Sequence, residues 1–222
     1  MSTRLINVAG FGFQNSLDQR ELQRRYDDIL RHLDVRRARF QLSSIDNAGF
    51  QELLVRLDDL SIVVGADALL PPDAARALPR FGLTLVLPKR RPLIWLNLLK
   101  HVDAMTLIDT VAHEAIHATV NLLGRHPQTP QPMNELAYHA EEIVALYGAN
   151  WILNQIEIPA HRQIAQNLAT INQHADILIR LGRSPAFLQE KSAEGVAAAK
   201  FLMELHLIEV AEPTLAELNA RQ

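Results

Sequence analysis

Cysteine is absent from this chain of 222 residues. That excludes disulfides, thiolate metal ligands and a cysteine nucleophile together. Any metal would have to be held by imidazole and carboxylate. Aromatic residues are scarce, at 5%, which argues against a platform for stacking unpaired bases. Neither sign of charge dominates: the net charge is −3, so no global basic field draws nucleic acid, and such a partner is allowed but not indicated. No apolar run reaches the roughly 18 residues needed to span a bilayer, so no membrane association is expected. The opening MSTRLINVAG lacks a basic segment followed by a long apolar one, so no signal peptide is expected and the default location is the cytoplasm.

What is present suits a folded domain. Hydrophobic residues make up 48%, ordinary for a chain with a buried core. The length fits one domain, or one domain with an appended helical piece. Charge is uneven. Residues 1–100 carry 15 Lys+Arg against 11 Asp+Glu, and residues 101–222 carry 7 against 14. The arginines between Arg24 and Arg39 are interleaved with acids, the pattern of a solvated helix face.

The patterning changes near Lys100. Before it, Ser16 and Gln19 resemble a capping box, and apolar Leu22, Tyr26, Ile29, Leu30 and Leu33 predict a helix over 17–33. ARFQLS (38–43) alternates and reads as a strand, 47–57 as a short helix, and LSIVVG (60–65) as a buried strand. LTLVLP (83–88) and LIWLNL (93–98) read as two further strands forming a hairpin around KRRP, with 69–80 as a loop. After Lys100 helices are predicted over 103–123, 135–154, 159–181 and 189–206, separated by Gly124 and Pro127, by Pro159, and by Gly182 and Pro185. The order predicts an α+β fold with a helical C-terminal half. Gly10 and Gly12 in AGFGFQN do not complete a dinucleotide-binding fingerprint.

The chemistry concentrates in TVAHEAIHATV, 110–120. On a helix, His113 and His117 are four apart and share a face, so two imidazoles can point at one ion. Glu114 is offset by about 100° and can serve as a base without being a ligand. This is an HExxH pattern, and a catalytic zinc takes three protein ligands. A third must come from elsewhere. The metzincin spacing would need Gly and His at the positions of Val120 and Leu123, so that pattern fails. His126 follows nine residues on, beyond Gly124. Glu135, His139, Glu141 and Glu142 lie on the next predicted helix, which can pack antiparallel and present a carboxylate.

HEAIH followed by YHAEEIVALYGANWI resembles the zincin metallopeptidase module of plasmid antirestriction proteins of the ArdC type. That family carries HELxH and then a segment like YAxEELVAELGAAFL. Tyr138, Glu141, Glu142, Val144, Ala145, Gly148 and Ala149 fall at matching places, with Trp151 in the aromatic slot. The likeness covers about 93–155. A Glu followed three residues later by Ala is the gluzincin-like third-ligand pattern, which implies Glu142 as ligand ahead of Glu141 or His139. It implies a zincin-like domain over 1–155 and a helical extension over 156–222 packed on it. It also implies that LIWLNL is the sheet edge where extended substrate pairs. The family tends to place an acid or Asn four residues after the ligand Glu, to orient a zinc-bound His. Here that residue is Leu146, and Asp109 or Asn121, each one turn from a ligand His, would have to replace it.

The expected activity is a zinc-dependent peptidase with one Zn2+, a peptide or protein substrate and Glu114 as general base. Tyr138 or His139 would stabilise the oxyanion. Tyr147 and Trp151 read as packing, His101 as facing solvent, and His161, His174 and His206 as isolated. The alternative expectation is a zinc-stabilised regulatory module that blocks a partner, with Arg24–Arg39 and Lys89, Arg90 and Arg91 touching nucleic acid or an acidic protein.

Overall fold

A computed structural model describes residues 24, 27, 30–67, 81–86, 91–124, 135–156 and 161–204. The expected N-terminal helix falls largely outside them, as do the 69–80 and 126–134 loops, Gly10, Gly12, Lys89, Arg90, His126, Pro159 and His206. Of that helix, Arg24, Asp27 and 30–32 are helical. Leu33 instead enters a two-residue strand, β1 (Leu33–Asp34).

The expected strand over 38–43 is a helix, α1 (Val35–Ser43). The side chain of Asp34 caps it, accepting from the Arg37 N–H at 2.7 Å. Ala38 and Leu42 are both fully buried. They lie four apart, a spacing that satisfies a helical face as well as an alternating strand, and Arg, Ala, Gln and Leu are stronger helix formers than strand formers. α2 (Ala48–Asp59) follows, capped by Asn47, whose side chain accepts from the Phe50 N–H. The next strand, β2 (Val63–Asp67), starts later than the β-branched run suggested. Leu60 to Ile62 close the helix instead: Ser61 takes a left-handed φ of 56° and the Ile62 N–H donates back to the Leu57 carbonyl.

β3 (Gly82–Leu85) and β4 (Leu93–Leu96) complete a small mixed sheet in the order β1-β2-β4-β3. β2 and β4 run parallel; β1 and β3 are antiparallel to their neighbours. The expected pairing of the last two strands is present, but LIWLNL is not the sheet edge. β4 has β2 on one side and β3 on the other, and all four of its residues are buried. A strand hydrogen-bonded on both sides has no groups left to pair with substrate. Among the described residues the free edge near the HExxH helix belongs to β3.

Four helices follow: α3 (Ala104–Leu122), α4 (Glu135–Gln155), α5 (His161–Arg180) and α6 (Pro185–Met203). Asp103 caps α3, accepting from the Thr106 N–H at 2.7 Å. α6 starts at Pro185 rather than near Gln189 because Ser184 caps it and proline suits the first helical turn. The fold is therefore α+β. One hydrophobic core runs from α2 across β2 and β4 into α3, α4 and α6. α4 is apolar around most of its middle, as a helix surrounded by other elements must be. It crosses α6 where Gly148 and Gly195 meet: a Cβ on Gly148 would lie 2.8 Å from the Gly195 carbonyl oxygen, and one on Gly195 would run into that of Val144. Trp151 packs on the main core and Tyr147 on a smaller cluster formed by Ala140, Ile143 and Leu178. Among the described residues no helix is long and apolar enough to cross a membrane.

Candidate metal centre

α3 leaves β4 through a short turn and runs back along the sheet, so its third turn faces β3 on one side and α4 on another. His113 and His117 turn the same way, with their Nε2 atoms 3.2 Å apart and ring centroids at 4.8 Å. Glu142, on α4, closes the group. Its Oε2 lies 3.4 Å from His113 Nε2 and its Oε1 4.0 Å from His117 Nε2. One ligand atom from each of the three falls within 4.8 Å of the others, and all three side chains are partly buried. No other such group of His, Asp or Glu occurs among the described residues. Glu141 and His139 are on the same helix but outside it. Two imidazoles and one carboxylate converging on one point fit zinc in number and donor type.

The charges reflect that crowding. Burial works against a charged His113, but the hydrogen bond and charge of Glu142, with the charges of Glu114 and Asp109, outweigh it and raise His113 to about 9. Burial likewise opposes ionisation of Glu142. Its bond to His113, and the charges of His113, His117 and His174, overcome that and hold it at about 2.

Glu114 is buried against the sheet. Thr84 on β3 grips it: Oγ1 lies 2.7 Å from Glu114 Oε2 and 2.8 Å from the Glu114 carbonyl oxygen. Gly82, two residues earlier, leaves the room this needs. A Cβ there would sit 2.7 Å from Thr110 Cγ2 and 3.1 Å from Glu114 Cγ. The edge strand and Glu114 thus share one patch of structure, a link that the spacing of HExxH cannot reveal.

Asp109, one turn before His113, is clamped from α5. Gln163 Nε2 donates to its Oδ2 at 2.9 Å and Asn167 Nδ2 to its Oδ1 at 2.8 Å; Asn167 also donates to Asn150 Oδ1 at 2.9 Å. Burial raises the Asp109 pKa, against the lowering effects of Asn167, the His113 charge and Gln163. Asp109 therefore sits in the field of His113, while Leu146 is buried and offers no polar group. Asn121 makes no side-chain hydrogen bond among the described residues; its carbonyl accepts from Gly124 N–H.

Two histidines are placed differently from expectation. His101 does not simply face solvent: Nδ1 lies 2.9 Å from the Asn97 carbonyl oxygen and Nε2 3.0 Å from Thr110 Oγ1. Burial lowers its pKa, against raising effects of the Asn97 bond and the Asp103 charge. His174 is not isolated. Its Nδ1 meets His139 Nδ1 at 2.7 Å, and the Tyr138 ring packs on both imidazoles. Gln163, Asn167 and His174 recur at four and seven residues, which puts them on one face of α5. That polar stripe on an otherwise amphipathic helix was the available signal. Two of the described N-terminal arginines are occupied locally: Arg39 pairs with Asp58 at 2.7 Å, and Arg31 donates to the Asp27 carbonyl. No family model, curated protein or solved structure matches the chain.

Proposed function

We propose that the protein is a zinc-dependent hydrolase, a peptidase with a zincin-like arrangement of edge strand, HExxH helix and ligand helix. The observation that supports this most is the approach of Glu142 to both histidines from a separate helix, because a chance HExxH on a surface helix has no reason to meet a third donor. His113, His117 and Glu142 would hold one Zn2+, which when bound supplies Lewis acidity and a water of low pKa.

The chain's own residues do the rest. Glu114 is the general base: its carboxylate takes the water's proton and returns it to the leaving amine. Thr84 fixes the carboxylate in place through its hydroxyl, so that little reorganisation is needed when the proton moves. The free edge of β3 offers backbone groups to an extended peptide, which would bring a scissile bond alongside Thr84 and Glu114. Asp109, held by Gln163 and Asn167, supplies negative charge beside His113 and takes the orienting role that Leu146 cannot. Tyr138 and His139 remain the candidates on α4 for stabilising the oxyanion.

Elemental analysis of the purified chain tests the metal. It should contain zinc, and His113→Ala, His117→Ala and Glu142→Ala should each lose it. Glu114→Gln should keep the metal and hydrolyse a peptide library at least about a hundredfold more slowly. A preparation that stays metal-free after exposure to zinc at neutral pH would overturn the assignment.

A further inference from the structure

The proposed ligands ride on two helices, so the centre exists only while those helices keep their spacing. His113 and His117 belong to α3 and Glu142 to α4. We propose that Asn167, on α5, is a positioning residue of the metal centre: its side-chain amide ties α3 to α4 and so sets the separation of the two histidines from Glu142. This rests on reading His113, His117 and Glu142 as a zinc site.

The amide is fully engaged, and its partners lie on both ligand helices. Asn167 Nδ2 donates to Asp109 Oδ1 on α3 at 2.8 Å and to Asn150 Oδ1 on α4 at 2.9 Å. An amide nitrogen carries two protons, so each helix receives one. The Asn167 oxygen accepts from Gln163 Nε2 at 3.3 Å, and the same nitrogen donates to Asp109 Oδ2 at 2.9 Å. These partners select one orientation of the amide, because turned over it would set its oxygen against the Asp109 carboxylate.

The tie grips close to the ligands. Asp109 is one turn before His113, and Asn150 is two four-residue steps beyond Glu142. Asn167 and Asn150 are only 5% and 6% exposed. A buried polar network with every member satisfied rigidifies what it joins. Apolar contact between α3 and α4 holds the helices together without direction, whereas hydrogen bonds fix distance and angle. A ligand set needs placement to about 0.5 Å, which is the kind of precision the bridge supplies.

The test uses the full-length protein, stripped of metal. Competition with a chromophoric chelator gives its zinc affinity, and the visible absorption of the Co2+-loaded protein reports the geometry around the ion. Asn167→Leu keeps the branching of the side chain and removes all of its bonds. Gln51→Leu is the control. Gln51 Nε2 also makes two bonds, to the carbonyls of Leu42 and Ile45, neither of them on α3 or α4. Asn167→Leu should bind zinc about tenfold more weakly or worse, with cobalt bands displaced from those of the wild type at saturation. Gln51→Leu should keep the wild-type bands and an affinity within about threefold, since a purely structural loss moves neither readout. Circular dichroism identifies a variant that fails to fold. Asn150→Ala, which cuts only the arm to α4, then carries the test, and its cobalt bands should move in the same way. Wild-type affinity and wild-type bands in a folded Asn167→Leu or Asn150→Ala would overturn the tie and leave the zinc site standing; so would an equal loss in Gln51→Leu. A wild type that takes up neither zinc nor cobalt would overturn the zinc reading and the tie with it.

Discussion

Acidifying the solution from about pH 8 to about pH 6 should weaken zinc binding by about tenfold or more for each unit. Burial alone would strip His113 of its charge, yet Glu142, Glu114 and Asp109 hold it up at about 9. Over this range the metal-free protein therefore carries a proton on His113 that zinc must displace. At pH 7 the gap of about two units is roughly a hundredfold in apparent affinity, or about 2.7 kcal/mol. The sign follows: the proton competes below about 9, so affinity rises with pH and levels off above that value. Glu142, held at about 2, contributes no proton in this window. The same shifts act on the metal-free fold. The stabilisation from His113 is complete below its ordinary 6.5 and is lost as pH rises through about 9. That from Glu142 is present above its ordinary 4.5 and is lost as pH falls toward about 2. Competition with a chromophoric chelator, corrected for the chelator's own protonation, gives the affinity. Calorimetry in two buffers of different ionisation heat counts the released protons. Proton-detected histidine titration of the metal-free protein should place His113 near 9 and show it falling steeply in Glu142→Gln. An affinity that moves by less than about threefold per unit, with no proton released at pH 7, would refute the ion-pair reasoning.

Three further changes are informative. Gly82→Ala puts a methyl 2.7 Å from Thr110 Cγ2 and 3.1 Å from Glu114 Cγ; chemical denaturation should show a loss of about 1–3 kcal/mol, while zinc stoichiometry is unchanged. Asp109→Ala removes one acceptor each from the buried Asn167 amide and the partly buried Gln163 amide, so stability should fall by about 1–3 kcal/mol; the pH dependence of zinc binding should also become shallower, because one source of the raised His113 value is gone. Gly195→Ala drives a methyl into the Val144 carbonyl. Backbone cannot swing aside as a side chain can, so thermal unfolding should reveal a loss of about 3 kcal/mol or more.

Much of the C-terminal half was legible because its signals are local. Asp103 as cap, Gly124 beyond the end and an uninterrupted apolar pattern between them specify α3 almost to the residue. α1 reads as a strand from its sequence because Ala38 and Leu42 satisfy two periodicities; the Asp34 cap and the helix-forming composition decide for the helix. Pro185 reads as a break but starts a helix, a distinction that depends on Ser184 being in capping geometry. In the site, the two histidines and Glu114 follow from helix spacing alone. Glu142 needed the likeness of the second segment to a family pattern, since four acidic or imidazole groups on α4 offered themselves. The partners supplied by β3 and α5, namely Thr84, Gln163, Asn167 and His174, lie between 30 and 58 residues from the groups they touch. Contacts at that separation are set by packing and leave no spacing to read.

The crossing of α4 over α6 at Gly148 and Gly195 has a bearing on how the protein is made. All three proposed ligands have been translated once residue 142 is added, but the helix that carries the last of them is seated against a segment synthesised some fifty residues later. A nascent chain would thus hold every donor without the pocket that arranges them. Metal capture would then wait for the synthesis of α6, and a chain cut short inside 185–203 would contain the whole motif yet lack a mature centre.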